Sequence, residues 1–84
     1  MATVLVVEDD DLVRAELIQA LAGRHAVRSA GRALDALREI TRNPPDVVVL
    51  DLGLPDLDGA EALKMMRGVS DVPVIVATAR GDEA

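Results

Sequence analysis

Three short runs rich in β-branched apolar residues, and a fourth, weaker one at residues 25–30, alternate along the chain with segments in which apolar residues recur at helical spacing. The apolar runs cover residues 3–7, 25–30, 47–50 and 74–77. The helical segments cover residues 12–22, 33–41 and 60–67. Runs that are apolar throughout are typical of strands buried on both faces. The order β-α-β-α-β-α-β therefore predicts an α/β fold, with a parallel sheet, right-handed crossovers and helices on both faces.

Composition indicates one small domain that spans residues 1–84. Half of the residues are apolar, which is enough for a core but not for a large one. We find no leader segment and no long apolar stretch, so we expect a cytoplasmic protein without a membrane contact.

Charge and the missing residue types exclude several classes of function. The net charge is −6, with 15 acidic against 9 basic residues, and the basic residues are scattered. We therefore expect no direct nucleic-acid contact from this segment, since phosphate contacts need clustered Lys and Arg. The chain contains no cysteine, which excludes disulfides, thiol catalysis and thiolate metal sites.

Acidic residues follow two of the predicted strands at the point where each strand ends. Glu8 and Asp9 follow the first strand, Asp51 ends the third, and Thr78 follows the fourth. The carboxyl ends of parallel strands share one edge of the sheet. In a flavodoxin-like, doubly wound sheet of strand order 2-1-3-4, these residues would converge where the winding direction changes, which is where open α/β sheets bind ligands.

Three converging carboxylates would repel one another and raise one another's pKa values. A hard divalent cation would relieve that repulsion. Oxygen ligands alone suit Mg²⁺, with Mn²⁺ as the alternative. Asp51 is the strongest functional candidate, because a carboxylate directly after the run VVVL is costly unless something pairs with it or uses it.

Other conspicuous residues have ordinary structural interpretations. Asp10 or Asp11 is well placed to cap the first helix. Asp56 and Asp58 are interpreted as turn and N-cap residues before the third helix. Met65 and Met66 are interpreted as packing residues.

Three motifs lie in register over the whole chain. They are Glu8-Asp9 after an apolar strand, D-x-x-L-P-x-x-D-G from Asp51 to Gly59, and P-V-I-V-A-T-A from Pro73 to Ala79. Together with the α/β order, they resemble the receiver domain of bacterial two-component response regulators. The segments are most similar to regulators that carry a winged-helix DNA-binding output.

The resemblance implies a role for each matching residue. Asp51 would be the phosphoacceptor and Thr78 the switch hydroxyl that bonds a phosphoryl oxygen. Mg²⁺ would be bound directly by Asp9 and Asp51, through water by Glu8, and by the backbone carbonyl of Gly53. The partner would be a sensor histidine kinase. The chain would not be an enzyme acting on a separate substrate, although self-catalysed phosphorylation and dephosphorylation of Asp51 are compatible with the resemblance.

The chain departs from the family pattern after the fourth strand. Members of the family continue with a fifth strand that ends in a lysine, and with further helices, whereas this sequence stops at Ala84. Its single lysine, Lys64, lies on the third predicted helix. We therefore expect a fragment that is truncated before the fifth strand. Its exposed apolar edge would favour a homodimer or a strand-exchanged oligomer.

Two alternatives remain open from the sequence. A pseudo-receiver would keep the fold as an interaction module without accepting a phosphoryl group. An enzyme of the haloacid dehalogenase class also uses an Asp after an apolar strand, but its hhhhDxD pattern requires a second Asp where this chain has Gly53.

Overall fold

The computed structural model describes residues 2–51 and 53–77, in which strands and helices alternate along the sequence. The strands are β1 (Thr3–Val7), β2 (Ala26–Ala30), β3 (Val47–Leu50) and β4 (Val74–Val76). The helices are α1 (Asp11–Ala22), α2 (Ala33–Arg42) and α3 (Gly59–Val69). The predicted order is confirmed, and each observed end lies within about two residues of the predicted one, the usual uncertainty of helix ends.

All strand pairs in the sheet are parallel, and the strand order is β2-β1-β3-β4. The predicted flavodoxin-like order is therefore confirmed over the strands that the structure describes. In the central pair, Val7 of β1 lies opposite Leu50 of β3. The residues that follow these two strands consequently emerge side by side at one edge of the sheet.

The sheet is covered on both faces, and its inner strand β1 is buried from Val4 to Val7. Leu5 and Val7 belong to the main core, which packs beneath α2 and α3. Val4 and Val6 are also buried, and alternation along a strand places them on the opposite face, where α1 crosses β1 and β2. The main core is completed by small and branched residues of the helices and of β3, among them Ala33, Ala36, Ile40, Val48, Leu50, Ala62 and Met66.

The apolar pattern of α1 predicts a single buried face, but in the structure only some of these apolar residues contact the sheet. Val13, Leu17, Ile18 and Leu21 are half-buried against the sheet, whereas Leu12, Ala15 and Ala22 are exposed. No residue of α1 is fully buried, in contrast to α2 and α3. In the residues described, no helix is long and apolar enough to cross a membrane.

Side-chain caps define where two of the helices begin. The carboxylate of Asp10 accepts hydrogen bonds from the N–H groups of Leu12 and Val13 at 2.9 and 3.0 Å, which confirms that an acid caps α1. Asp58 occupies the N-cap position of α3, but its side chain makes no capping bond. Asp56 lies in the bend before α3, as predicted, but its carboxylate also caps α2, a role that was not predicted.

Two adjacent methionines in α3 offer a direct test of the packing. Met66 is 2 % exposed and belongs to the main core, whereas Met65 is 41 % exposed, so the expectation that both methionines pack holds for Met66 only. We expect Met66→Ala to lower the free energy of unfolding by about 2–5 kcal/mol, because it leaves a cavity. Met65→Ala should change it by less than about 0.5 kcal/mol. Urea denaturation of both variants would measure the difference, and equal losses would contradict this packing.

Candidate functional site

Three carboxylates meet at the edge of the sheet where β1 and β3 end. Glu8 and Asp9 directly follow β1, and Asp51 directly follows β3. One carboxylate oxygen from each residue lies within 4.8 Å of the other two. The predicted convergence of these acids is confirmed, and it follows from the pairing of Val7 with Leu50 one residue earlier.

Asp51 is the most deeply placed of the three acids. Its side chain belongs to a residue that is only 4 % exposed, and its backbone N–H donates to the carbonyl of Val7 at 2.9 Å. Among the described residues, no hydrogen-bond donor reaches its buried oxygen Oδ2. A buried carboxylate oxygen without a partner costs free energy, so this atom is where a ligand would be most favourable.

Glu8 is held beside Asp51 mainly through its backbone. Its N–H donates to the carbonyl of Ala30 at 3.0 Å, which ties the end of β1 to β2. Its carboxylate accepts a hydrogen bond from the N–H of Asp10 at 3.2 Å, and the residue as a whole is 7 % exposed. Asp9, by contrast, is exposed, so the cluster is buried on one side and open to solvent on the other.

Burial raises the pKa of Glu8 above its ordinary value, and the neighbouring charges of Asp51 and Asp9 raise it further. The hydrogen bond from the N–H of Asp10 acts in the opposite direction but does not cancel these effects. The expectation that crowding would raise a pKa within the cluster is therefore met at Glu8. The cluster holds more negative charge than its surroundings stabilise.

Arg14 supports the segment between β1 and α1 and was not identified from the sequence. One of its guanidinium nitrogens donates to the backbone carbonyl of Glu8 at 3.0 Å, and the other contacts the carboxylate of Asp11. A side chain at Gly31 would begin 3.5 Å from the same guanidinium, so the loop before α2 approaches it closely. The signal available in the sequence was a lone cation one turn after four consecutive acids.

Two other predicted site residues are not placed in the cluster by the structure. Gly53 is an exposed loop residue two positions after Asp51, and its carbonyl remains a predicted metal ligand. Thr78 lies outside the described residues, so its role as the switch hydroxyl also remains a prediction.

The donor set fits a hard divalent cation. It consists of three carboxylates, without sulfur or nitrogen ligands, which is the chemistry that Mg²⁺ and Mn²⁺ prefer. Oδ2 of Asp51, which is buried, would supply one ligand atom, and the exposed Asp9 leaves room for water molecules in the coordination shell. A bound cation would also offset the repulsion that raises the pKa of Glu8.

Comparison with known proteins identifies relatives over the full length of the chain. The sequence profile of the response regulator receiver domain matches residues 4–84. The KDP operon transcriptional regulatory protein KdpE of Escherichia coli is 44 % identical over all of this chain and 38 % of its own length. The transcriptional regulatory protein AfsQ1 of Streptomyces coelicolor is 37 % identical over 99 % of this chain and 37 % of its own length. The chain thus spans less than half the length of these curated relatives.

Solved structures agree with the sequence relatives. The receiver domain of a Francisella response regulator superposes with a TM-score of 0.87 at 30 % identity, over 100 % of this chain and 70 % of its own. The receiver domain of a sensor histidine kinase from Pseudomonas aeruginosa superposes with a TM-score of 0.90 at 26 % identity, over 99 % of this chain and 71 % of its own. The latter was solved with a magnesium ion coordinated in its active site cleft.

The raised pKa of Glu8 predicts how stability depends on pH without divalent cations. A raised pKa means that the folded chain binds protons more tightly than the unfolded chain. The stability contributed by Glu8 is therefore fully present below its ordinary pKa of 4.5 and is lost as the pH rises through the folded-state pKa. We expect Glu8→Gln to raise the free energy of unfolding at neutral pH and to leave it nearly unchanged in acid, where Glu8 is already neutral.

The matched control is Glu16→Gln, which removes one negative charge from an exposed position of α1. Urea denaturation of the three proteins between acidic and neutral pH would measure both effects. Equal pH dependence of the Glu8 and Glu16 variants would contradict the repulsion at the cluster.

Proposed function

The chain belongs to the response regulator receiver domain family, and we propose that its Asp51 accepts a phosphoryl group from a phosphohistidine of a sensor histidine kinase. The observation that carries this proposal is the buried Asp51 carboxylate, whose Oδ2 meets no hydrogen-bond donor among the described residues and lies in a cluster of acids. Burying a carboxylate without a partner destabilises the fold and adds nothing to the packing of the core. A role as nucleophile would explain why the chain keeps an acid at this position.

Residues of the chain would also hold the cation that such a transfer needs. We assign Asp9 and Asp51 as direct ligands of Mg²⁺, Glu8 as a ligand through water, and the carbonyl of Gly53 as a further ligand. When bound, the cation supplies positive charge that offsets the negative charge of the cluster and of the incoming phosphoryl group. The magnesium ion in the Pseudomonas aeruginosa receiver domain supports this assignment.

The proposed transfer makes one bond and breaks one bond. An oxygen of the Asp51 carboxylate attacks phosphorus, a P–O bond forms, and the P–N bond to the kinase imidazole breaks. The imidazole leaves and takes up a proton. The protein has little other covalent chemistry to perform, so its main contribution is to hold Asp51 in line. The hydroxyl of Thr78 is proposed to bond a phosphoryl oxygen afterwards and so to report the modification.

Phosphorylation would act on an output outside these 84 residues. The curated relatives include transcriptional regulators that are much longer than this chain, and we propose a transcriptional output for this protein as well. The net charge of −6 supports a signalling segment that does not itself contact nucleic acid. We further propose a cytoplasmic location. We also propose that the chain acts on no separate substrate, and that its only chemistry is the addition and removal of the phosphoryl group on Asp51.

Intact mass after incubation with acetyl phosphate and Mg²⁺ tests this function. We expect the mass of one phosphoryl group to appear on the chain, and to be absent from Asp51→Asn. Incorporation should be slow, since Lys64 on α3 is the only lysine and cannot neutralise the phosphoryl group at this edge. One missing donor lowers such rates by about 100- to 1,000-fold.

The control variant is Asp58→Asn, which removes a charge from the same loop without touching the cluster. It should incorporate phosphate like the unmodified chain. The assignment of Asp51 would be contradicted if Asp51→Asn still incorporated phosphate. It would also be contradicted if Asp58→Asn lost incorporation as completely as Asp51→Asn.

We also propose that the 84-residue chain self-associates through β4. Over the residues described, β4 is the last strand of the sheet, and its Ile75 is 56 % exposed. An apolar strand with an unpaired edge is a template for pairing with another chain. Sedimentation velocity should show dimers or larger species, which Ile75→Lys should convert to monomers. Leu12→Lys changes an exposed leucine of α1 and should leave association unchanged. A monomeric unmodified chain at high concentration would contradict the proposal.

A further inference from the structure

The N-terminus of α2 is capped by a residue that lies far away in the sequence. The residue at its N-cap position, Arg32, makes no side-chain capping bond. Instead, one carboxylate oxygen of Asp56 accepts from the N–H of Ala33 at 2.8 Å, and the other accepts from the N–H of Leu34 at 3.1 Å. Both bonds span more than twenty residues of sequence. They are therefore tertiary contacts that join the loop after β3 to α2, unlike the local bonds of an ordinary helix cap.

The loop between Asp51 and Asp56 is fixed at both ends. At the first end, the N–H of Asp51 donates to the carbonyl of Val7 in β1. At the other end, Leu54 is buried in the main core, Asp56 is bonded to α2, and Leu57 packs against the same core. Gly53 lies between these fixed points. It is itself exposed, so its position depends on what holds the residues on either side.

The charges around Asp56 favour its ionised form in this position. Burial acts to raise the pKa of Asp56, but the hydrogen bonds from Ala33 and Leu34 outweigh that effect, and the nearby Arg32 adds to them. The pKa of Asp56 is consequently lowered. A carboxylate at the N-terminus of a helix is also favoured by the helix dipole. The tether is thus a charge-assisted one, which is stronger than a neutral hydrogen bond.

We propose that Asp56 is a positioning residue, which holds the loop carrying Asp51 and Gly53 by bonding it to the N-terminus of α2. The effect on metal binding rests on the function proposed above, whereas the effect on the loop does not. Without the tether, only the packing of Leu54 and Leu57 against the core would hold the loop on this side of Gly53. The carbonyl of Gly53 would then be presented less consistently to the carboxylate cluster, and the affinity for Mg²⁺ would fall.

The test compares Asp56→Ala with Asp58→Ala, which removes the same charge two residues later, where the side chain makes no capping bond. A third protein combines Asp56→Ala with Arg32→Ser, and Arg32→Ser alone serves as its reference. Arg32 has the extended backbone of an N-cap residue, so a serine there can cap α2 locally without tethering the loop. This design separates the stability of α2 from the position of the loop.

In the absence of metal, Asp56→Ala should speed hydrogen exchange at Ala33 and Leu34 and shift the amide resonances of Asp51 and Gly53. Asp58→Ala should do neither. Mg²⁺ titration should show a dissociation constant raised about tenfold in Asp56→Ala, the size usual for residues that support metal ligands. The added serine should restore slow exchange in α2 but not the resonances of Asp51 and Gly53 or the affinity for Mg²⁺.

Unchanged resonances of Asp51 and Gly53 in Asp56→Ala would overturn the proposal. So would their full recovery on adding the serine, since Asp56 would then act only through the stability of α2. If the unmodified chain bound no Mg²⁺ at the cluster, the proposed function would fail, and the metal-free resonances would still decide whether Asp56 positions the loop. If Mg²⁺ bound equally well with and without Asp56, the inference about affinity alone would fail.

Discussion

The burial of the Asp51 carboxylate beside Glu8 is the constraint on which the rest of this structure depends. Within the part of the chain that the structure describes, one oxygen of this carboxylate has no hydrogen-bond partner, which opposes folding, and a second buried acid next to it adds repulsion. The surrounding backbone reduces this cost without removing it. The N–H of Asp51 is bonded to Val7, and Glu8 is anchored to Ala30 and Arg14. The fold therefore keeps an electrostatic cost at this edge, which a cation would offset.

The register between β1 and β3 brings these acids together at the edge of the sheet where a cation could bind them. Because Val7 lies opposite Leu50, the acids that follow β1 and β3 emerge together. A shift of one residue in this register would turn the side chains of a strand to the other face and would separate the acids. The residues that secure the register are the same ones that form the core, since β1 is buried from Val4 to Val7. The pairing of β1 with β3 thus contributes both to the stability of the core and to the geometry of the site.

The order of elements, the strand order and the convergence of Glu8, Asp9 and Asp51 were predicted correctly. The order of elements follows from periodicity and the convergence of the acids from the shared direction of parallel strands, whereas the strand order was taken from the flavodoxin-like fold and cannot be read from residue types. The partner of Asp56 could not be predicted, because a loop acid can cap whichever helix the tertiary structure brings near it. The exposed positions of α1, such as Leu12, were missed for a similar reason. Periodicity shows that a helix has an apolar side but not how much of that side is covered.

The most direct test of the account is a Mg²⁺ titration of the chain followed through its backbone amide resonances. If Glu8, Asp9 and Asp51 act as one cation site, the resonances of residues 8–10 and 51–53 should move first, and Asp9→Ala should abolish their movement. Resonances that move first elsewhere, or that move equally in Asp9→Ala, would contradict the claim that the buried Asp51 carboxylate is part of a metal-binding cluster.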